Sequence, residues 1–82
     1  MSKNNVHNSI RKLRFLHDEM TQQQLAEKVG VTRQTIVAIE KEKYSPSLEV
    51  AFLIARVFRL PLEEVFSYGT NNQESEGEKI EK

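Results

Sequence analysis

The chain has 82 residues, no cysteine, and twelve Lys and Arg against twelve Asp and Glu. That length holds one domain with a modest core, and the missing cysteines exclude disulfides and thiolate metal sites, which suits a reducing compartment. The longest apolar stretch, around residues 50–55, is far too short to cross a bilayer, and the first residues carry no apolar run of a secretion signal. A cytoplasmic protein without membrane contact is expected. The balanced charge is uneven along the chain: residues 1–48 hold eight Lys and Arg against five Asp and Glu, a net of +3, whereas residues 69–82 hold two against four, a net of −2.

Val6, Ile10, Leu13 and Leu16 recur at helical spacing and predict a first amphipathic helix over residues 6–17. Asp18 and Glu19 read as a polar link. Thr21 followed three residues later by Gln24 is a capping box, opening a second helix over 22–28 with Leu25, Ala26 and Val29 inward. Gly30 stops it, because glycine tolerates a left-handed helix exit. Thr32 is the next N-cap, for a third helix through Lys41 with Ile36 and Ile39 inward.

Residues 43–46 form a loop. Ser47 caps a fourth helix to Phe58, expected to bury Leu48, Ala51, Phe52, Ile54, Ala55 and Phe58. Pro61 begins a short fifth helix over 62–66. From residue 69 onward the chain is Gly, Asn, Ser, Glu and Lys with a single apolar residue, Ile80, a composition expected to stay disordered. Five short helices with short links predict an all-α bundle over 1–68, followed by an acidic tail over 69–82.

The second and third helices carry the functional signal. Two helices crossing steeply through a three- to four-residue turn must approach closely at the corner. Ala26 provides a small residue there, Gly30 a residue suited to positive φ, and Ile36 and Ile39, with Leu25 and Val31, the apolar wedge behind the second helix of the pair. The run from Thr21 to Ile36, continuing through Ile39, Glu40, Lys41, residues 44–48, Ala55 and residues 63–66, resembles the phage repressor and Cro family, also called the xenobiotic-response-element (XRE) family. The likeness spans residues 10–66. Within the family it is nearest to very short regulators of the cytolysin-repressor kind, which lack a separate ligand-binding domain.

This resemblance implies a lambda-repressor-like five-helix fold, a homodimer, and a third helix that enters the major groove of double-stranded DNA at a near-palindromic operator. Position by position, it implies base contacts at Arg33, Gln34 and Ala38, with Val37 beside them. It implies phosphate contacts at or near Gln22, Thr32, Lys41, Lys43 and Tyr44, and a salt bridge between Arg14 and Glu40 tying the first helix to the third. The residue chemistry agrees: Arg reads guanine and Gln reads adenine bidentately, while Val and Ala can meet a thymine methyl. The expected function is transcriptional regulation, with repression by occlusion as the mode, since no effector domain and no small-molecule effector are evident.

Three positions depart from the family pattern. The link at residues 17–20 is one residue longer, Glu42 stands where Gly or Asn is common, and Arg59 where Gly is common. Each residue forced into a left-handed conformation costs about 1 kcal/mol.

Plainer readings exist for the same residues. Arg33 and Gln34 are polar groups on an exposed face, and Glu40 is an acid within reach of Lys41 or Lys43. His7 and His17 lack ligand-like companions, so no metal and no other cofactor is expected. Adjacent Glu63 and Glu64 point in different directions, and no nucleophile–base pair is present, so an enzyme is not expected. Phe52, Phe58 and Phe66 read as core. Leu60, Leu62, Val65, Phe66 and Tyr68 exceed what a short terminal helix can bury; they either pack the chain end or, as expected here, form the dimer surface. The rival function is an antitoxin-like interaction module that uses the tail as its binding arm, with DNA binding secondary.

Overall fold

The structure, a computed structural model, describes residues 5–69, so all of the expected acidic tail beyond Gly69 lies outside the described residues. The first departure from the helical periodicity comes at once. Val6–Asn8 is a short strand, β1, not the opening turn of a helix. It pairs antiparallel with a second strand, β2 (Phe66–Tyr68), in the register Val6 to Tyr68, His7 to Ser67 and Asn8 to Phe66. Backbone bonds from Gly69 to the Asn5 carbonyl (2.8 Å) and from Ser9 to the Val65 carbonyl (2.9 Å) lengthen the ladder. Branched and aromatic side chains suit a pleated surface. The Asn8 carboxamide then ends the strand: its Oδ1 accepts from the Ile10 amide at 3.1 Å, and that local turn starts the first helix at Ile10.

The five helices among the described residues are α1 (Ile10–Leu16), α2 (Gln22–Val29), α3 (Arg33–Glu40), α4 (Leu48–Phe58) and α5 (Leu62–Val65). The fold is therefore helical with a two-stranded ribbon, and the all-α expectation is corrected to that extent. Residue 66, expected in the fifth helix, belongs to β2 instead.

The helix ends have clear local causes. Thr21 and Gln24 form the complete capping box, with the Thr21 hydroxyl accepting from the Gln24 amide at 3.0 Å and the Gln24 side chain accepting from the Thr21 amide at 2.9 Å. Thr32 and Ser47 each accept from the amide three residues on, at 3.2 Å. Each such cap contributes about 1 kcal/mol. Past the helix exits, Asp18, Glu19, Glu42 and Arg59 all have positive φ, at 58°, 53°, 62° and 58°. After α3 the Lys43 amide donates to Ala38 and the Glu42 amide to Ile39; after α4 Leu60 donates to Ala55 and Arg59 to Arg56. Both are Schellman closures built on a side-chain-bearing residue where glycine would be free of strain.

Ile10, Leu25, Ile36, Ile39, Ile54 and Val65 are fully buried, with Ala26, Val29, Ala55 and Phe58 in the same cluster. Burying such a branched side chain is worth roughly 2 kcal/mol, so Ile36 and Ile39 anchor the back of α3 firmly. Three expected core residues are not in the core: Leu16, Leu48 and Phe52 are 62%, 66% and 51% exposed. α4 is apolar nearly all round; Ala51, Ile54, Ala55 and Phe58 are buried, and Val50, Leu53 and Val57 flank them, partly buried against the cluster. Leu48 and Phe52, four apart, share the stripe turned outward. Leu16 is the last residue of α1 and is turned to solvent.

Candidate nucleic-acid interface

α2 and α3 meet through residues 30–32. Gly30 closes α2 in the left-handed conformation at φ 79°, and its amide and that of Val31 both donate to the Ala26 carbonyl. Ala26 is completely buried at this corner, as a close helix crossing requires. A capped helix, a three-residue turn and a second capped helix with an apolar back: this is the helix-turn-helix geometry.

Ile36 and Ile39 hold α3 to the core, which leaves its other side to solvent. Arg33 and Gln34 are exposed, and Val37 and Ala38 half-buried beside them. The structure divides this face into two stripes. Arg33, Val37 and Lys41, each four residues apart, form one wall of a cleft whose other lining residues include Arg11, Glu19, Gln22 and Gln23. Gln34 and Ala38 do not line that cleft and lie on the neighbouring stripe.

Behind Arg33 and Val37 a charged network fixes the position of α3. Arg14 Nε donates to Glu40 Oε2 at 2.7 Å and Nη2 donates to Oε1 at 3.1 Å, a two-pronged contact. The guanidinium also donates from Nη1 to the Met20 carbonyl at 2.8 Å. The side chains are only 15% and 9% exposed, so the pair is poorly screened by solvent. Glu40 has a third donor that sequence reasoning missed: Gln22 Nε2, at 3.1 Å. Glu40 thereby ties α3 to both α1 and the first residue of α2.

The remaining candidates for phosphate contact lie at the two ends of α3. The Thr32 hydroxyl is engaged as the cap and lies 3.0 Å from the Thr35 hydroxyl, which leaves the start of α3, with its positive dipole end, as the part of this site that suits an anion. At the far end Lys41, Lys43 and Tyr44 are all exposed. That end is held from behind by the ribbon: Asn8 Nδ2 donates to the Ile39 carbonyl at 2.9 Å, and His7 Nδ1 lies 3.0 Å from Glu42 Oε1. His17 Nδ1 lies 3.1 Å from the Leu13 carbonyl, and its ring packs edge-on to Phe58 with centroids 5.1 Å apart. Among the described residues no three His, Cys, Asp or Glu side chains sit together as metal ligands, and no helix is long and apolar enough to span a membrane.

The residues expected at a dimer surface separate into two groups. Val65 is 1% exposed and belongs to the core, which corrects its assignment: α5 has four residues, and Val65 is the one it buries fully. Leu60, Leu62 and Phe66 pack partly against the core, while Tyr68 is 72% exposed. Leu62, Phe66 and Tyr68 line an apolar groove together with Val6, Pro46 and Leu48.

A helix-turn-helix family model matches residues 10–65, and the chain belongs to this XRE-type helix-turn-helix family. It is 52% identical over 61 residues to an uncharacterized HTH-type transcriptional regulator of Methanocaldococcus jannaschii, an overlap covering 74% of this chain and 91% of that protein. An uncharacterized HTH-type transcriptional regulator of Archaeoglobus fulgidus is 57% identical over 49 residues, 60% of this chain and 70% of its own. Among solved structures, a candidate DNA-binding protein from Bacteroides fragilis superposes with a TM-score of 0.65 at 22% identity, covering 76% of this chain and 98% of that one, a likeness of fold. Membership of this family makes the chain a helix-turn-helix protein and not an enzyme.

Proposed function

We propose that the protein is a transcriptional regulator that binds double-stranded DNA sequence-specifically by laying α3 in the major groove. The observation that carries this reading is the exposed face of α3, where Arg33, Gln34, Val37 and Ala38 stand together on a helix whose rear is anchored by Ile36, Ile39 and the three-donor clasp on Glu40. Arg33 presents two parallel donors to guanine O6 and N7, Gln34 a donor and an acceptor to adenine, and the two small apolar residues suit a thymine methyl. Lys41, Lys43 and Tyr44 at one end of the helix, with Gln22 beside them through its bond to Glu40, and the amides beginning at Thr32 at the other, would hold the flanking phosphates.

The molecule acts as a homodimer on a near-palindromic operator, its two recognition helices about 34 Å apart. The apolar groove beside the exposed Leu48 and Tyr68 supports this reading, because a monomer would leave those side chains in water. A second copy of the chain is the occupant we assign to it. Repression by occlusion follows from tight binding at an operator and needs no further contact. The names of the relatives, HTH-type transcriptional regulators, agree with regulation of transcription.

The test is Arg33→Ala, measured on a preferred site and on sites altered one base at a time. The variant loses about 1–3 kcal/mol on the preferred site and relaxes discrimination at one base position. Equal weakening on every sequence contradicts base reading by Arg33.

A further inference from the structure

The cleft in front of the Glu40 clasp holds more positive charge than base reading requires. Its α3 wall is Arg33, Val37 and Lys41. Arg11 and Arg14 line it from α1, Gln22 and Gln23 from α2, and Glu19 from the link between those helices. Arg14 and Glu40 are spent on each other. Arg11, Arg33 and Lys41 then face a single uncompensated acid, Glu19. Arg11, the second residue of α1, is exposed and lines this cleft as well as the adjoining shallow one that holds Lys12 and Phe15. It is shared by the two clefts, and among the described residues its side chain has no hydrogen-bond or ion-pair partner.

We propose that this cleft seats one phosphate of the DNA backbone, and that Arg11 closes the seat from the side of α1. The proposal rests on the DNA-binding reading and deepens it by extending the phosphate track from α3 onto the first helix. The geometry selects a phosphodiester: the cleft is open and lined by donors from three helices, and Arg11 can meet two phosphate oxygens with a planar fork. Glu19 opposes a second anion, so one phosphate is the capacity of the seat. Because a phosphate carries no base information, Arg11 positions the reading helix and does not choose the sequence.

The experiment is the salt dependence of binding by the full chain to its preferred duplex and to an unrelated duplex, for the wild type, Arg11→Ala, Arg11→Lys and Arg56→Ala. Arg56 lines a different cleft, one that includes no residue of α3. Arg11→Ala should lower the slope of log affinity against log salt by about 0.9, so that its deficit relative to wild type shrinks about eightfold between 0.1 and 1 M salt. Both duplexes should be affected alike and the base preference kept, Arg11→Lys should restore most of the slope, and Arg56→Ala should leave it unchanged. An unchanged slope in Arg11→Ala overturns the seat, as does an equal drop in Arg56→Ala, which would mean a diffuse effect of net charge. A change in base preference also overturns it, by making Arg11 a reader. If Arg33→Ala still relaxes one base position in these cases, DNA binding through α3 stands; a wild-type chain that binds neither duplex removes both readings.

Discussion

Glu40 shows how much one side chain can decide about the angle of a helix. Its two oxygens accept from Arg14 on α1 and Gln22 on α2, so moving α3 relative to either neighbour breaks a charge-assisted bond. Such a pair is a positional device more than a source of stability, because desolvating both groups offsets much of their attraction. Removing one partner is a different matter, since it strands the other in a partly buried site. Glu40→Ala should cost about 2–3 kcal/mol in urea unfolding, whereas Arg14→Ala with Glu40→Ala should cost clearly less than the two single changes added. Additive costs would show that the contact carries no coupling. The pairing of residues 14 and 40 was readable from the family resemblance, but the role of Gln22 was not. Gln22 has a polar side chain at the first turn of a helix, where a phosphate contact and an internal one demand the same chemistry; only the distance distinguishes them.

The elements divide sharply into those with a local cause and those without. The starts of α2, α3 and α4 were legible because Thr21, Thr32 and Ser47 each act on the amide three residues away, and Gly30 announces the turn by itself. The ribbon was not legible. Three-residue strands show no periodicity, and β1 and β2 are brought together only by the packing of everything between them. The apolar spacing of Val6 with Ile10 fits a helix equally well, and the Asn8 turn decides against it. Exposure within α4 was equally hidden, because a helix apolar on nearly every side does not reveal which stripe faces inward.

Helix exits lie between these cases: Glu42 and Arg59 were suspect positions on the family pattern, and both do take left-handed φ. Asp18 and Glu19 do so in succession, which is how the longer link between α1 and α2 is absorbed. Arg59 is exposed, and among the described residues its side chain has no hydrogen-bond or ion-pair partner, so Arg59→Gly should stabilise the fold by about 0.5–1 kcal/mol, the left-handed strain relieved less the added backbone entropy of glycine. Thermal or urea unfolding checks this; a loss of stability would mean that the Arg59 side chain contributes packing worth more than the strain.

At the scale of the whole molecule the ribbon links two surfaces. On one side Val6 and Tyr68 border the apolar groove proposed for a second copy, and on the other Asn8 and His7 hold the exit of α3. The distance between two recognition helices in a dimer would therefore be set through β1, a short and directly bonded path. The uneven charge has the same logic, since the basic cleft of Arg11, Arg33 and Lys41 lies in the positive part of the chain. The measurement that bears most directly on the central claim is selection of bound duplexes from a random pool by the full chain. The account predicts enrichment of a near-palindromic site with half-site centres about 10 base pairs apart, containing a guanine whose preference disappears when the selection is repeated with Arg33→Ala. A pool that enriches no sequence, or a consensus indifferent to Arg33, would contradict it.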